Sequence, residues 1–220
     1  MMKTIAKIYT DFPTKFGIPR QSGLVEELKG RIVFEPEFCS PDAIRGLDGF
    51  SHIWLLWKFN TPAESRSLTV RPPKLGGNVR MGVFATRSPF RPNNIGLSCV
   101  RLEKIDGAEM IVSGADLMDG TEIVDIKPYV PYADCHPDAV GGFSKDGSER
   151  LKVDIPERLL TLFPENKRSA LIKVLELDPR PQYQNDPERL YGFGFAGYEI
   201  RFTVDKGTIF VKEIEKFTGC

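Results

Sequence analysis

The chain has 220 residues, 41% of them hydrophobic and 27% charged, and its 30 Lys and Arg balance 30 Asp and Glu to a net charge of zero. This length and composition suit one large globular domain, or one domain with a small appendage, and supply a core that needs no disulfide or metal staple. Overall charge therefore has no part in nucleic-acid binding, which would need a local basic patch.

Four scattered cysteines (Cys39, Cys99, Cys135, Cys220) and two histidines (His52, His136) show no metal-ligand spacing, so no metal is expected. The first residues lack the long apolar segment of a signal peptide. The longest apolar run, Ile53–Trp57, is too short to span a bilayer. A reducing, cytoplasmic setting without a membrane is expected.

In chain order, Thr4–Phe12 alternates loosely and predicts a strand. Pro13–Gly23 predicts a loop with Arg20 and Gln21 near its tip, and Arg31–Phe34 a short strand. Ser40 in a cap role, with Pro41 behind it, predicts a short helix ending at Gly46. Phe50–Phe59 is apolar on both faces, which suits a strand buried on both sides or one whose outer face meets a partner. Polar residues 60–68 predict a loop. Val79–Thr86 and Gly96–Lys104 predict strands around the RSPFRPNN loop, and Met110–Gly114 and Glu122–Tyr129 strands around the ADLMDGT loop.

Asp134–Lys152 is polar and Gly-rich and reads as a linker. Beyond it, Asp154 with Glu157 predicts a capping box, followed by helical repeats of Leu159–Phe163 and Ala170–Leu177 that Pro179 and Pro181 stop. Tyr198–Val204 and Thr208–Ile214 predict a hairpin. The organisation is thus a mainly β first domain over residues 1–140 and a small α+β domain over 151–220. Gly192, Gly194 and Gly197 match GxGxxG, but a strand-like segment follows where a dinucleotide site needs a helix. A glycine-rich bend beside aromatic packing is expected there.

From Ser65 to Leu102 the chain carries seven basic residues and no Asp or Glu. Such a stretch either grips an anion or forms a solvated loop. Arg87 and Arg91 flank Pro89-Phe90, and Phe90 either stacks on a base or plugs the end of the β structure. Asp116 and Asp119 flank Leu117-Met118 in a short acidic turn. They either take a proton or a cationic ligand, or serve the turn alone. On residue types alone, an enzyme acting on a small anionic metabolite and a non-catalytic RNA-binding barrel share these features.

Three stretches, DGFSHIWLLWKF, VRPPKLGGNVRMGVFATRSPFRPNNIGLS and DLMDGTEIVDIKPYVPYAD, together with DPRP at Asp178–Pro181, resemble the TrmO family. The resemblance spans nearly the whole chain. It implies a β-barrel methyltransferase of non-Rossmann type. Such an enzyme depends on S-adenosylmethionine and methylates the N6 amine of threonylcarbamoyladenosine at position 37, beside the anticodon of threonine tRNA. It also implies a homodimer with the cofactor near the subunit interface, to which the two-sided apolar strand around Trp54 and Trp57 would contribute. Carried over by motif, the cofactor contacts fall on Pro19, Arg20, Gln21, Phe59, Asn60, Arg87, Leu97, Asp116, Leu117, Met118 and Asp119. Phe59-Asn60 departs from the His-Gln pair frequent in the family. A carboxylate of Asp116 or Asp119 is expected to assist catalysis. Lys74, Arg80 and Arg91 are expected to meet RNA, and the second domain to extend the tRNA surface.

Overall fold

The computed structural model describes residues 2–59, 67–144, 150–180 and 186–217. In the first part the alternating segments become strands: β1 (Ala6–Tyr9), β2 (Lys29–Phe34), β3 (His52–Lys58), the two-residue pieces β4 (Thr69–Val70) and β5 (Met81–Gly82), β6 (Ile95–Asp106), β7 (Glu109–Ser113) and β8 (Thr121–Pro128). Six of these close into an antiparallel barrel in the order β1-β2-β7-β6-β3-β8, with β8 paired to both β1 and β3. Closure gives each of the six strands a hydrogen-bonded neighbour on both sides. Every second side chain points inward, so Ala6, Ile8, Ile32, Ile53, Leu55, Val100, Met110, Val112 and Ile123 form a dry core. Each large aliphatic side chain buried there contributes about 1.5–3 kcal/mol.

One strand outruns its neighbour. β7 pairs only with Arg101–Asp106 of β6, so the first half of β6 has β3 alone beside it. The segment between β1 and β2 covers the gap. The Cys99 N–H donates to Ser22 Oγ at 3.0 Å, and the Gly23 N–H donates to the Gly114 carbonyl at 2.9 Å. A buried backbone donor needs a partner, and this loop provides it.

A single helical turn, α1 (Pro131–Asp134), leads away from the barrel. The second part holds β9 (Lys152–Asp154), α2 (Glu157–Leu160), α3 (Glu165–Glu176), β10 (Tyr191–Phe195), β11 (Tyr198–Asp205) and β12 (Thr208–Lys216). The strands form a sheet in the order β10-β11-β12-β9, with β9 parallel to β12. Helical spacing places Ala170, Leu171, Val174 and Leu175 of α3 on one face, buried against Phe195, Ile200, Phe202 and Val211. Phe12, Val25 and Leu28, from the segment between β1 and β2, belong to this second core. Lys167 pairs with Asp11 and Lys173 with Glu27 across the same boundary.

Several expected elements differ. Val79–Thr86 is not a strand: Met81–Gly82 finds only the two-residue β4, and Val83–Ala85 tightens into a 3-10 turn. Ser40 bonds the Asp42 N–H through its Oγ at 3.3 Å, but it caps a turn and no helix, because Gly46 at φ 81° redirects the chain. Asp154 does not cap α2. It is held extended by pairing with β12, and Pro156 occupies the cap position. The glycine-rich stretch is strand β10, and only Ala196 and Gly197, at φ 51° and 81°, make the bend. A Cβ at Gly194 would lie 2.8 Å from Pro13 Cγ and 2.9 Å from Phe217 Cζ, so close crossing, not phosphate binding, requires that glycine. Among the described residues no helix is long and apolar enough to cross a membrane, and no group of three His, Cys, Asp or Glu could hold a metal ion.

Candidate active site

The acidic turn from Asp116 to Asp119 joins β7 to β8, and the structure separates its two carboxylates. Asp119 Oδ1 accepts the Thr10 N–H at 2.9 Å, and Thr10 Oγ1 donates to the Leu117 carbonyl at 2.9 Å. Leu117 is buried in the barrel core, and the Met118 carbonyl accepts from Thr121 Oγ1 at 2.7 Å. Asp119 and Leu117 thereby bolt the turn to the end of β1, and Met118 ties it to the start of β8. Asp116 faces the other way. Its Oδ1 accepts a 2.6 Å hydrogen bond from Ser98 Oγ, which in turn accepts one from Trp57 Nε1 at 3.0 Å.

Asp116 sits in conflicting surroundings. Burial, the largest influence, disfavours its charged form and pushes its pKa up from 3.8 to about 6. The Ser98 hydroxyl, the backbone amides of Asp116 and Ser22, and the Arg87 charge pull it back without cancelling the rise. A partly buried carboxyl that titrates near neutrality and lies within reach of a guanidinium can accept a proton at cellular pH.

Arg87 lies close enough to this turn for its charge to act on Asp116. Its Nη1 donates to Gln21 Oε1, and Gln21 Nε2 donates back to the Arg20 carbonyl. The first loop, the basic loop and the acidic turn therefore converge on Gln21, Arg87 and Asp116. The Arg20 side chain diverges. Its guanidinium is partly desolvated, which lowers its pKa, and Asp178 opposes that effect. It lines a separate cavity of about 280 Å³ with Pro19, Ile18, Leu177, Asp178 and Arg180 at the junction of the two parts.

The remaining expected residues lie as follows. Phe59 packs edge-on against Trp57, ring centroids 4.4 Å apart, and its N–H donates to the Asn94 carbonyl. Asn60 lies outside the described residues. Leu97 is on the outer face of β6 opposite Leu56, so its side chain points away from the inward Ser98. Lys74 and Arg80 are exposed on the segment between β4 and β5. Arg91, expected to face RNA, turns back on its own loop. Its Nη1 donates to the Thr86 carbonyl at 2.7 Å and the Val83 carbonyl at 3.3 Å, with the guanidinium 6.0 Å from the Phe84 ring. Phe90 does not plug the barrel, being 48% exposed, and Phe84 beside it is 75% exposed.

Sequence reasoning missed Ser98, Trp57 and Gly96. Trp57 continues the inward face of Ile53 and Leu55, and register with β6 lays its indole over Gly96, where a Cβ would come within 2.3 Å. The diagonal neighbour on that face is Ser98. The only available signal was the small residue two places before the serine in GLS, which carries meaning once β3 is paired to β6.

The donor set fits a zwitterion with a second cationic centre: a guanidinium and an amide for a carboxylate, and a carboxylate for an ammonium or sulfonium. The model of the tRNA-methyltransferase O N-terminal domain family matches residues 7–135, and that of the TrmO C-terminal domain matches residues 149–217. An Escherichia coli protein named tRNA (adenine(37)-N6)-methyltransferase is 39% identical over 214 residues, covering 91% of each chain. Pseudomonas aeruginosa RcsF, named as a candidate S-adenosylmethionine-dependent methyltransferase, is 43% identical over 197 residues, covering 86% of this chain and 85% of its own. A crystal structure of TrmO from P. aeruginosa superposes with a TM-score of 0.83 at 32% identity, over 99% of this chain and 97% of that one. With both domain models matched in chain order and the fold shared end to end, this chain belongs to the TrmO family.

Proposed function

We propose that this chain is an S-adenosylmethionine-dependent tRNA methyltransferase that methylates the N6 amine of adenosine 37. The observation that carries the reading is the convergence of Gln21 and Arg87 with the Ser98-held Asp116 at one end of a closed barrel, in a chain similar throughout to enzymes of that name. S-adenosylmethionine, when bound, supplies an electrophilic methyl group on a sulfonium. Gln21 and Arg87 would hold its carboxylate, with Phe59 as an apolar wall. Alignment of donor and acceptor supplies about 7–11 kcal/mol in reactions of this kind.

The substrate form we assign is threonylcarbamoyladenosine in the anticodon loop of threonine tRNA. Its N6 lone pair is delocalised into the ring and the carbamoyl group, which weakens the nucleophile and acidifies the N–H. Asp116 then takes that proton as the new N–C bond forms, so the product amine leaves uncharged. A base titrating at about 6 is mostly ionised at neutral pH and is weak enough to release the proton to water afterwards.

Lys74 and Arg80 would meet tRNA phosphates, with the exposed Phe84 and Phe90 as stacking surfaces. Arg91 holds the shape of that loop. Residues 151–220 would extend the tRNA surface beside the 1–140 catalytic domain. A second copy would cover the outer stripe of Trp54, Leu56 and Leu97 on β3 and β6. This work belongs in the cytoplasm, where mature tRNA is used.

The test combines calorimetry with S-adenosylmethionine and a labelled-methyl assay on threonine tRNA with and without the threonylcarbamoyl group. Binding, and transfer only to the modified tRNA, is expected. No cofactor binding would overturn the enzyme reading, and equal transfer to unmodified tRNA would overturn the substrate assignment.

A further inference from the structure

We propose that Trp57 and Ser98 are positioning residues for methyl transfer, fixing the direction of the Asp116 carboxylate from beneath. The proposal rests on the reading of Asp116 as the proton acceptor. Its geometry is a chain of two hydrogen bonds from strand to strand to turn. The Trp57 Nε1–H donates to Ser98 Oγ at 3.0 Å, which uses that oxygen's lone pair and directs its own hydrogen at Asp116 Oδ1, 2.6 Å away. Ser98 is 1% exposed, so water does not compete for either bond.

The indole is itself fixed. It lies across Gly96, where a Cβ would stand 2.3 Å from Trp57 Cε2, packs against the barrel core and meets the Phe59 ring edge-on, centroids 4.4 Å apart. One side chain therefore joins a wall of the expected cofactor site to the group expected to take the proton. Neither Trp57 nor Ser98 need touch substrate for this. The charged group that faces Asp116 from another element is Arg87. Asp119, in the same turn, is turned toward Thr10. The Ser98 hydrogen bond favours the ionised carboxylate, so losing it raises the pKa of Asp116 further above about 6.

The experiment uses the full chain with Ser98→Ala, Trp57→Phe, Gly96→Ala and Asp116→Asn. It measures single-turnover methyl transfer to tRNA against pH, S-adenosylmethionine affinity by calorimetry, and the titration of the Asp116 carboxyl by carbon NMR. Ser98→Ala is expected to move the acid limb of the rate and the carboxyl titration up together, by on the order of one pH unit, and to lower the plateau rate with cofactor affinity changed less than twofold. Trp57→Phe, which keeps the apolar body and removes the N–H, moves both in the same direction by less. Gly96→Ala leaves all three functional groups in place but displaces the indole, and should resemble Trp57→Phe. A merely structural role would lower the melting temperature and leave the limb where it was. An unmoved limb and an unmoved carboxyl titration in Ser98→Ala, with the limb abolished in Asp116→Asn, would overturn the positioning proposal alone. A full rate in Asp116→Asn would overturn the proton-acceptor reading and the positioning proposal with it.

Discussion

Replacing Asp116 by Asn is expected to make the protein more stable while removing its activity. Burial raises the carboxyl pKa from 3.8 to about 6, against the opposing pull of Ser98 and Arg87. The unfolded chain releases this proton near its ordinary value, and the native state holds it until about pH 6. Between those values the native state binds more protons, so stability falls as pH rises through the interval. At about 1.36 kcal/mol per pH unit, the loss is about 3 kcal/mol once both states are ionised. Asn carries no charge, and its carbonyl oxygen can still accept from Ser98 Oγ. The variant should match the parent below pH 4 and exceed it by about 2–3 kcal/mol above pH 6, or about 4–12 °C in melting temperature for a chain of this size. Unfolding of both proteins at pH 4 and pH 8 checks this, because shared titrations cancel in the difference. Methyl transfer should fall by about 10²–10⁴-fold, the contribution typical of a positioned base. A variant no more stable at pH 8 than its parent would refute the claim that burial governs this carboxyl.

Three further outcomes follow from named contacts. Arg91→Lys loses the Nη1 group that donates to both the Thr86 and Val83 carbonyls; the loop should be cut faster in limited proteolysis, with a stability cost of about 1–2 kcal/mol. Gly17→Ala should cost about 2–4 kcal/mol in denaturant unfolding, because Gly17 has φ 84° and a Cβ there would sit 2.2 Å from Phe193 Cδ2. Leu56→Glu, on the outer face of β3, should shift sedimentation from dimer to monomer without changing the circular dichroism spectrum. An unchanged sedimentation coefficient would count against a second copy on that stripe.

The barrel was legible where strand-like residues run over a full strand, as in Phe50–Phe59, apolar on both faces, and Gly96–Lys104, which became β3 and β6. It was illegible where strand-like residues had nothing to pair with. Val79–Thr86 has the composition of a strand, but its only neighbour is two residues long. A different reason hid β10, which pairs with β11 along its length: its glycines read as a bend until Pro13 and Phe217 are seen crossing Gly194. At the proposed site, residue type pointed to the acidic turn but could not choose between its carboxylates. That choice depends on Thr10, more than a hundred residues earlier in the chain, and on Ser98. Trp57 read as interface material because the sequence does not reveal which face of β3 each aromatic takes.

Charge pattern and burial act differently on the resulting site. An acid-free block from Ser65 to Leu102 would be expected to draw in a carboxylate and hold it ionised. Tertiary closure does bring Asp116 to that block, yet its pKa moves upward. Arg87 is exposed, so solvent screens its field, while the loss of hydration at Asp116 acts on the carboxylate itself. The near-neutral carboxyl is therefore a product of the closed barrel, whose burial of Asp116 outweighs the opposing pull of the Ser98 hydroxyl, the Ser22 amide and Arg87. Neutralising distant arginines should leave its titration almost unmoved, whereas opening the barrel end to water should return it toward an ordinary aspartate.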